Sequence, residues 1–285
     1  MKRIGVVAKT DRADAREVVE RLLAWCAERG LQPVLEKETA GLCPDTQAAT
    51  ARKPDLPGQV DLLLVLGGDG TLLSMARLVG DLSVPILGVN LGGLGFLTAL
   101  TKEELFPALE AFLADGLVIE ERVMLAAQVW RHGEKLSEYV ALNDVVITKS
   151  AMSRIINLAV SVDGQFATAY RADGLIISTP TGSTAYCLSA GGPIVFPTMP
   201  AVVLTPICSH TLTNRPIVLP ADQRIEVTLR SDQDVMLTLD GQVGFALKEA
   251  DVVVVQQAAA RIRLLRFPQK HFFSVLRTKL KWGER

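Results

Sequence analysis

Over the first 120 positions, short apolar runs typical of strands alternate with segments in which apolar residues recur at helical spacing. Ile4 to Ala8 is a short apolar run, and the segment from Ala13 to Arg29 repeats apolar side chains at helical spacing until Gly30. The nearly unbroken apolar run of residues 60–66 is typical of a strand buried on both faces. The other predicted elements are a helix over residues 72–79, a strand over residues 85–89, and a helix that opens with a capping box at Thr101 and ends near Asp115. This alternation predicts a parallel sheet with helices on its faces.

The pattern changes after about Leu117, where short apolar runs are separated by Gly, Asp and Asn turns. Residues 272–282 return to a helical and basic pattern. We therefore predict an α/β domain over residues 1–120 and a β-rich domain over residues 121–265, α+β overall. The tail, residues 266–285, is expected to pack back on the first domain.

Composition narrows the classes of function. Thirty basic and 31 acidic residues give a net charge of −1, which supplies no attraction to nucleic acid or to an anionic membrane. The four cysteines and three histidines show no metal-ligand spacing, so no metal site is expected on the protein. The first apolar stretch is interrupted at Lys9 and Asp11, and no apolar run approaches the roughly 20 residues of a membrane span, which favours the cytoplasm.

The most informative motif is Gly67-Gly68-Asp69-Gly70-Thr71, between a predicted buried strand and a predicted helix. Glycines let the backbone approach phosphate oxygens, and a helix N-terminus offers unpaired N–H groups with partial positive charge. The loop is therefore predicted to bind phosphate. A carboxylate there would be repelled by phosphates unless it takes a proton or helps to hold a metal, which makes Asp69 a catalytic candidate. The alternative is that Asp69 caps the helix.

Two further segments carry polar groups suited to a nucleotide. Residues 173–186 place small hydroxylated side chains around Gly and Pro, which suits a sugar or a base edge, and Tyr186 can lie against a flat ring. The alternative is a Ser/Thr-rich turn that caps a helix beginning near Ala185. The pair Asn143-Asp144 offers an amide and a carboxylate for ribose hydroxyls, although an isolated Asn-Asp pair is most often a plain turn.

Taken together, these segments resemble the NAD kinase family. The match consists of the glycine-flanked Asp69, the run from Asn90 to Phe96, the pair Asn143-Asp144, the run from Arg171 to Tyr186, the stretch from Pro206 to Pro220, and Asp240-Gly241-Gln242, in the family's order. Within the second run, Leu91 and Gly93 depart from the family's usual residues. The glycine-flanked motif is shared with phosphofructokinases and with diacylglycerol and sphingosine kinases, whereas the run from Thr181 to Tyr186 is more particular to NAD kinases.

The resemblance implies transfer of the γ-phosphoryl group of ATP to the adenosine-side 2′-hydroxyl of NAD, with Mg²⁺ or another divalent cation accompanying ATP. It implies that Asp69 is the acid–base residue, that Gly70 and Phe96 line the adenosine half of NAD, and that Asp173 lies near the nicotinamide. The residues expected to bind the nucleotides are Gly67, Gly68, Gly70, Thr71, Phe96, Asn143, Asp144, Arg171, Asp173, Thr181, Thr184, Ala185, Tyr186, Ser189 and Gln242. Assembly into homodimers or homotetramers through the β-rich domain is also implied.

Two other functions are compatible with the motifs. A lipid or sugar kinase could use the same glycine-flanked loop, but we find no amphipathic stretch with an apolar face broad enough to dock on a membrane. A non-catalytic NAD(H) sensor could use the same pocket. A sensor, however, has no need of a carboxylate inside a phosphate loop.

Overall fold

The computed structural model describes residues 2–150, 152–211, 213–268 and 270–282. The chain divides into two compact units, one made of Met1–Glu121 with Ile262–Arg285 and the other of Arg122–Arg261. The tail assigned to residues 266–285 belongs to the first unit, and its residues 269 and 283–285 lie outside the described ranges.

The strands in chain order are β1 (Arg3–Ala8), β2 (Gln32–Glu36), β3 (Ala49–Ala51), β4 (Leu62–Leu66), β5 (Ile86–Asn90), β6 (Leu100–Thr101), β7 (Val118–Arg131), β8 (Glu134–Ala141), β9 (Asp144–Lys149), β10 (Ile156–Val162), β11 (Gln165–Ala172), β12 (Gly174–Ser178), β13 (Ala201–Ile207), β14 (Ile217–Pro220), β15 (Ile225–Leu229), β16 (Val235–Leu239), β17 (Val243–Leu247) and β18 (Val252–Arg266). The α-helices are α1 (Ala15–Glu28), α2 (Lys37–Ala40), α3 (Asp69–Val79), α4 (Leu105–Leu113), α5 (Tyr186–Ser189) and α6 (Phe272–Leu280). Short 3₁₀ turns cover Pro57–Gln59, Gly80–Leu82, Lys102–Glu104 and Gly182–Thr184.

The first unit is built on a parallel sheet with the strand order β3-β2-β1-β4-β5. All five residues of β4 are buried, as its unbroken apolar sequence predicts. At the end of β4, Leu66 pairs with Ala8 of β1 on one side and with Val89 of β5 on the other. Because parallel strands end at the same edge of a sheet, the segments that follow these three strands lie beside one another.

The second unit consists of antiparallel sheet. One sheet has the order β14-β13-β12-β9-β16-β17, and a second set of strands runs β11-β10-β15-β18 with the β7–β8 pair beside β18. Inward-facing side chains of these strands form one apolar cluster that includes Ile147, Leu175 and Leu237. The α/β first unit and the β-rich second unit confirm the predicted fold class.

The polar, Pro-containing sequence from Glu36 to Gln59 is typical of one long connection, whereas the structure shows α2, β3 and a 3₁₀ turn there. Strand β3 is only three residues long, and two of its residues are exposed, so it has too few positions to show a periodic pattern. No helix within the described ranges is long and apolar enough to cross a membrane.

Candidate active site

The glycine-flanked motif connects β4 to α3 in the first unit. Gly68 is the N-cap of α3 with extended backbone, and Asp69 is the first helical residue. A Cβ atom on Gly67 would lie 2.7 Å from Thr71 Oγ1, whereas a Cβ atom on Gly68 would meet no atom within 4 Å. Glycine at 67 is therefore required for packing, and the open side of Gly68 leaves the helix N-terminus accessible to an anion.

The Asp69 carboxylate accepts four hydrogen bonds from the loop between β5 and β6. The backbone N–H of Phe96 donates to Oδ2 at 2.9 Å. The backbone N–H groups of Leu97 and Thr98 donate to Oδ1 at 3.1 and 2.9 Å, and the Thr98 hydroxyl donates to the same oxygen at 2.9 Å. The N-cap position of α3 belongs to Gly68, and the Asp69 carboxylate accepts from residues 96–98 instead, so Asp69 is not the cap of this helix. These contacts bring two predicted site residues together, Asp69 and Phe96.

A cavity of about 470 Å³ lies beside the glycine turn. Gly68, Gly70 and Thr71 line it from the turn, and two lysines line it from elsewhere in the first unit, Lys9 and Lys53. Three carboxylate side chains, Asp11, Glu36 and Glu38, also line it. This volume falls in the range of small-molecule sites, roughly 300–1,000 Å³. Sequence reasoning missed the two lysines because neither belongs to a motif.

In the second unit, Asn143 and Asp144 lie at the start of β9, beside the end of β12. Ser178, the last residue of β12, pairs with Asp144. The backbone N–H of Thr179 donates to the Asn143 carbonyl at 2.9 Å, and the Thr179 hydroxyl donates to the Leu142 carbonyl at 2.6 Å. A Cβ atom on Gly182 would lie 2.1 Å from the Asn143 carbonyl oxygen. The segment after β12, residues 179–189, is called the Thr/Ser-rich loop below, and it packs directly on the backbone of the Asn-Asp pair.

The same loop carries the predicted residues Thr181, Thr184, Ala185, Tyr186 and Ser189. The Thr184 hydroxyl donates to the Thr181 carbonyl at 3.2 Å. Tyr186 is 45% exposed, which leaves its ring accessible for stacking. The N-cap residues of the 3₁₀ turn and of α5 make no side-chain cap, but the Thr179 hydroxyl accepts from the backbone N–H of Gly182 at 3.0 Å, as a Ser/Thr-rich turn would.

Arg122 is a buried contact of this loop that sequence reasoning missed. It is 1% exposed, and its Nη1 donates to Thr181 Oγ1 at 3.2 Å. A single Arg before the apolar run of residues 123–127 belongs to no motif, and its partner lies 59 residues away in the chain.

Asp240 lies in the turn after β16 and fixes the entry to β9. Its carboxylate accepts hydrogen bonds from the backbone N–H groups of Leu142, Asn143 and Asp144 at 3.1, 2.7 and 3.2 Å. Asp144 is itself 4% exposed. Burial, and secondly the charge of Asp240, raise the pKa of Asp144 to about 7. The predicted residue Gln242 follows in the same turn and is exposed.

Arg171 and Asp173 lie away from the Asn143-Asp144 pair and from the loop after β12. Both lie near the start of β12, whereas the Thr/Ser-rich loop follows its end, a separation of about 17 Å for a five-residue strand. Asp173 Oδ1 lies 3.6 Å from Lys149 Nζ, and Arg171 is exposed on the edge strand β11. Over the described part of the chain, no three or more His, Cys, Asp or Glu side chains are grouped so that they could hold a metal ion.

Comparison with known proteins finds the same family in both parts of the chain. Residues 4–117 match a family model described as the ATP-NAD kinase N-terminal domain, and residues 142–267 match the ATP-NAD kinase C-terminal domain. Curated NAD kinases of Geotalea daltonii and Geobacter sulfurreducens are each 52% identical to the chain over 286 residues, and that of Syntrophotalea carbinolica is 53% identical over 287 residues. All three comparisons cover 100% of both proteins.

Solved structures agree with these matches. Yeast NADH kinase complexed with NADH superposes with a TM-score of 0.93 at 26% identity, covering 100% of this chain and 89% of that one. An NAD kinase from Archaeoglobus fulgidus in complex with ATP has a TM-score of 0.75 at 22% identity, covers 99% of each chain and supports the fold alone. The chain therefore belongs to the NAD kinase family.

Proposed function

We propose that the protein transfers the γ-phosphoryl group of ATP to the adenosine-ribose 2′-hydroxyl of NAD and so produces NADP. The observation that carries this proposal is the Asp69 carboxylate, held by the loop of residues 96–98 at the N-terminus of α3. The full-length similarity to proteins named NAD kinase supports the choice of NAD as acceptor.

The proposed NAD contacts of each unit are as follows. In the first unit, Gly70 and Phe96 line the adenosine half. The proposed dinucleotide contacts of the second unit are Asn143, Asp144, Thr181, Thr184, Ala185, Tyr186, Ser189, Arg171 and Gln242, with Asp173 on the nicotinamide side. The hydroxyl groups and amides of the loop after β12 suit ribose and base edges, and the exposed Tyr186 ring suits stacking.

The proposed ATP site is the cavity beside the glycine turn. The N–H groups at the start of α3 suit phosphate oxygens, and Gly67, Gly68, Gly70 and Thr71 form that turn. Lys9 and Lys53 place two positive charges on the same cavity, which the carboxylates of Asp11, Glu36 and Glu38 also line. We propose that a divalent cation, Mg²⁺ or another, enters with ATP as part of the substrate, where it neutralises phosphate charge.

In the proposed reaction the 2′-oxygen of NAD forms a bond to the γ-phosphorus as the bond from that phosphorus to the β-bridging oxygen breaks. ADP leaves, and Asp69 accepts the hydroxyl proton. Phosphoryl transfer depends mostly on alignment and charge neutralisation. The hydrogen bonds to Asp69 supply the alignment of the proton acceptor.

We further propose a cytoplasmic homodimer or homotetramer that assembles through the β-rich unit. Support for assembly comes from β14, an edge strand of the six-stranded sheet, on which Ile217 and Val218 are 39% and 48% exposed. Neither nucleic acid nor a membrane is proposed as a partner, because the net charge of −1 attracts neither.

The acceptor is tested by incubating pure protein with Mg-ATP and, in turn, NAD, NADH, a diacylglycerol or fructose 6-phosphate. NADH is included because the yeast relative is an NADH kinase. We expect phosphorylation of NAD. Turnover of the lipid or the sugar alone would indicate another kinase of the superfamily, and binding of NAD without turnover would indicate a sensor.

The role of Asp69 is tested by Asp69→Asn. We expect kcat to fall by about 10² to 10⁴, because an amide cannot accept the proton. The amide also places an NH₂ group against one or more of the N–H donors of residues 96–98, so a loss of stability of about 1–3 kcal/mol is expected as well. Thermal midpoint, NAD affinity and kcat measured on one preparation separate these effects. A folded variant with more than about a tenth of the wild-type kcat would remove Asp69 from the catalytic role.

A further inference from the structure

The two oxygens of the Asp69 carboxylate accept different numbers of hydrogen bonds. Oδ1 accepts three hydrogen bonds, from Leu97 N–H, Thr98 N–H and the Thr98 hydroxyl. Oδ2 accepts one, from Phe96 N–H. A carboxylate oxygen has about two lone pairs in good orientation. Oδ1 is therefore saturated by the protein, and Oδ2 keeps capacity for one more hydrogen bond.

The direction of the hydrogen bond from Thr98 follows from its neighbour Asn90. Asn90 Oδ1 accepts from the backbone N–H of Gly92 at 2.6 Å, which orients the side-chain amide. Asn90 Nδ2 then donates to Thr98 Oγ1 at 2.8 Å. Since an NH₂ group only donates, the single hydroxyl hydrogen of Thr98 is left for Asp69 Oδ1.

Burial makes this chain of hydrogen bonds rigid. Thr98 is 0% exposed and Asn90 is 8% exposed, so water does not compete with either contact. Gly95 allows the close approach of the loop, because a Cβ atom there would lie 2.1 Å from Asp69 Oδ1 and 2.5 Å from Thr98 Oγ1.

We propose that Thr98, oriented by Asn90, is a positioning residue that occupies Oδ1 of Asp69 and leaves Oδ2 as the atom that accepts the proton of the substrate hydroxyl. The proposal rests on the proposed kinase function. It assigns to Thr98 and Asn90 a role in turnover that acts through Asp69. Without the Thr98 hydroxyl, the carboxylate can rotate and the proton acceptor loses its alignment.

The test compares Thr98→Val with Thr98→Ser in steady-state kinetics for NAD and for ATP. Valine keeps the shape of threonine and removes the hydroxyl, whereas serine keeps the hydroxyl and removes the methyl group. We expect Thr98→Val to lower kcat about tenfold with both KM values within about twofold of wild type, as for an interaction that matters only in the transition state. We expect Thr98→Ser to stay within about threefold of the wild-type kcat.

Asn90→Ala supplies a second, independent variant. It leaves the Thr98 hydroxyl in place but removes the group that orients it, so a smaller fall in kcat is expected. The double variant Asn90→Ala/Thr98→Val should be no slower than Thr98→Val alone, because both changes act through one hydrogen bond. If Thr98→Val does not fold, a fall in kcat in folded Asn90→Ala, with unchanged KM values, supports the same link.

Three outcomes would overturn the proposal. Wild-type kcat in folded Thr98→Val removes the role of the hydroxyl, and equal losses in the Val and Ser variants assign the effect to packing. Additive losses in the double variant break the link between Asn90 and Thr98. Each of these presupposes an active wild-type enzyme, so they differ from failure of the kinase function, in which the wild-type protein itself phosphorylates none of the acceptors.

Discussion

Asp144 is a buried carboxylate at the entrance to a strand, and its ionisation is linked to folding. Burial and the neighbouring Asp240 raise its pKa to about 7 in the folded protein, from 3.8 as the ordinary value. Between these values the folded state binds a proton that the unfolded state has lost. The raised pKa therefore contributes to the free energy of unfolding. This contribution is fully present below about pH 4 and is lost as the pH rises through about 7.

Asp144→Asn should therefore flatten the pH dependence of folding. Between pH 5 and pH 8 we expect the free energy of unfolding of the wild-type protein to fall by on the order of 2–3 kcal/mol more than that of the variant. The difference grows by about 1.4 kcal/mol for each pH unit up to 7. Denaturant unfolding at the two pH values measures the difference. The exposed Asp222→Asn serves as the control and should follow wild type. Equal losses in wild type and Asp144→Asn would contradict the assignment.

Site residues that belong to motifs could be predicted from the sequence, whereas the residues that hydrogen-bond to them and fix their orientation could not. Asp69 and the pair Asn143-Asp144 stand out because carboxylates and amides adjoin glycines or strand ends. Thr98 stands out much less, as one polar residue in the apolar run from Phe96 to Leu100. The hydrogen bond from Thr98 to Asp69 joins residues 29 positions apart in the chain, and a local sequence pattern does not predict a contact at that separation.

At the scale of elements, the loop after β12 is shaped by its contact with the start of β9. Thr179 makes two hydrogen bonds across this contact, to the carbonyls of Leu142 and Asn143. Gly182 packs where no side chain fits. These contacts therefore fix the position of the loop relative to the Asn-Asp pair, although almost forty residues separate the two in the chain.

Gly182→Ala should displace the loop and weaken the NAD site. The added Cβ atom would lie 2.1 Å from the Asn143 carbonyl oxygen, so one of the two segments must move. We expect KM for NAD to rise by about tenfold or more while KM for ATP changes little, because the change affects the proposed NAD contacts only. Gly58→Ala is the matched control, since a Cβ atom there meets nothing within 4 Å. An unchanged KM for NAD in a folded variant would show that this loop does not bind NAD.

Long, regular elements were predictable from their pattern, and short ones were not. The buried β4 and the following helix α3 follow from an apolar run and a glycine turn. Helices α2 and α5 have four residues each, which is about one turn and too short for a helical period to appear. Helix α2 is held through Thr39, whose backbone N–H donates to the Glu36 carboxylate at 3.0 Å and whose hydroxyl accepts from the Ala8 N–H at 2.8 Å.

At the scale of the whole chain, the C-terminal tail supports the site loop of the first unit. Arg266 Nη2 donates to the Phe96 carbonyl at 3.0 Å, and Lys270 Nζ donates to Glu104 at 2.8 Å. The change in hydrophobic pattern near Leu117 predicts that a β-rich region begins there, but it carries no information on these partners. That residues 1–120 and 121–265 form separate domains stays a prediction.

The proposed assembly makes a prediction about strand β14. Val218 is 48% exposed on this edge strand, and a lysine there would oppose pairing or burial against a second copy. We expect the wild-type protein to sediment as a dimer or tetramer and Val218→Lys to sediment as a smaller species. Val118→Lys is the control, because Val118 is 47% exposed but lies in the first unit. Because a stable interface buries roughly 1,600 Å², one buried lysine near its centre should shift the equilibrium clearly. A monomeric wild-type protein, or dissociation by Val118→Lys alone, would rule out assembly through this strand.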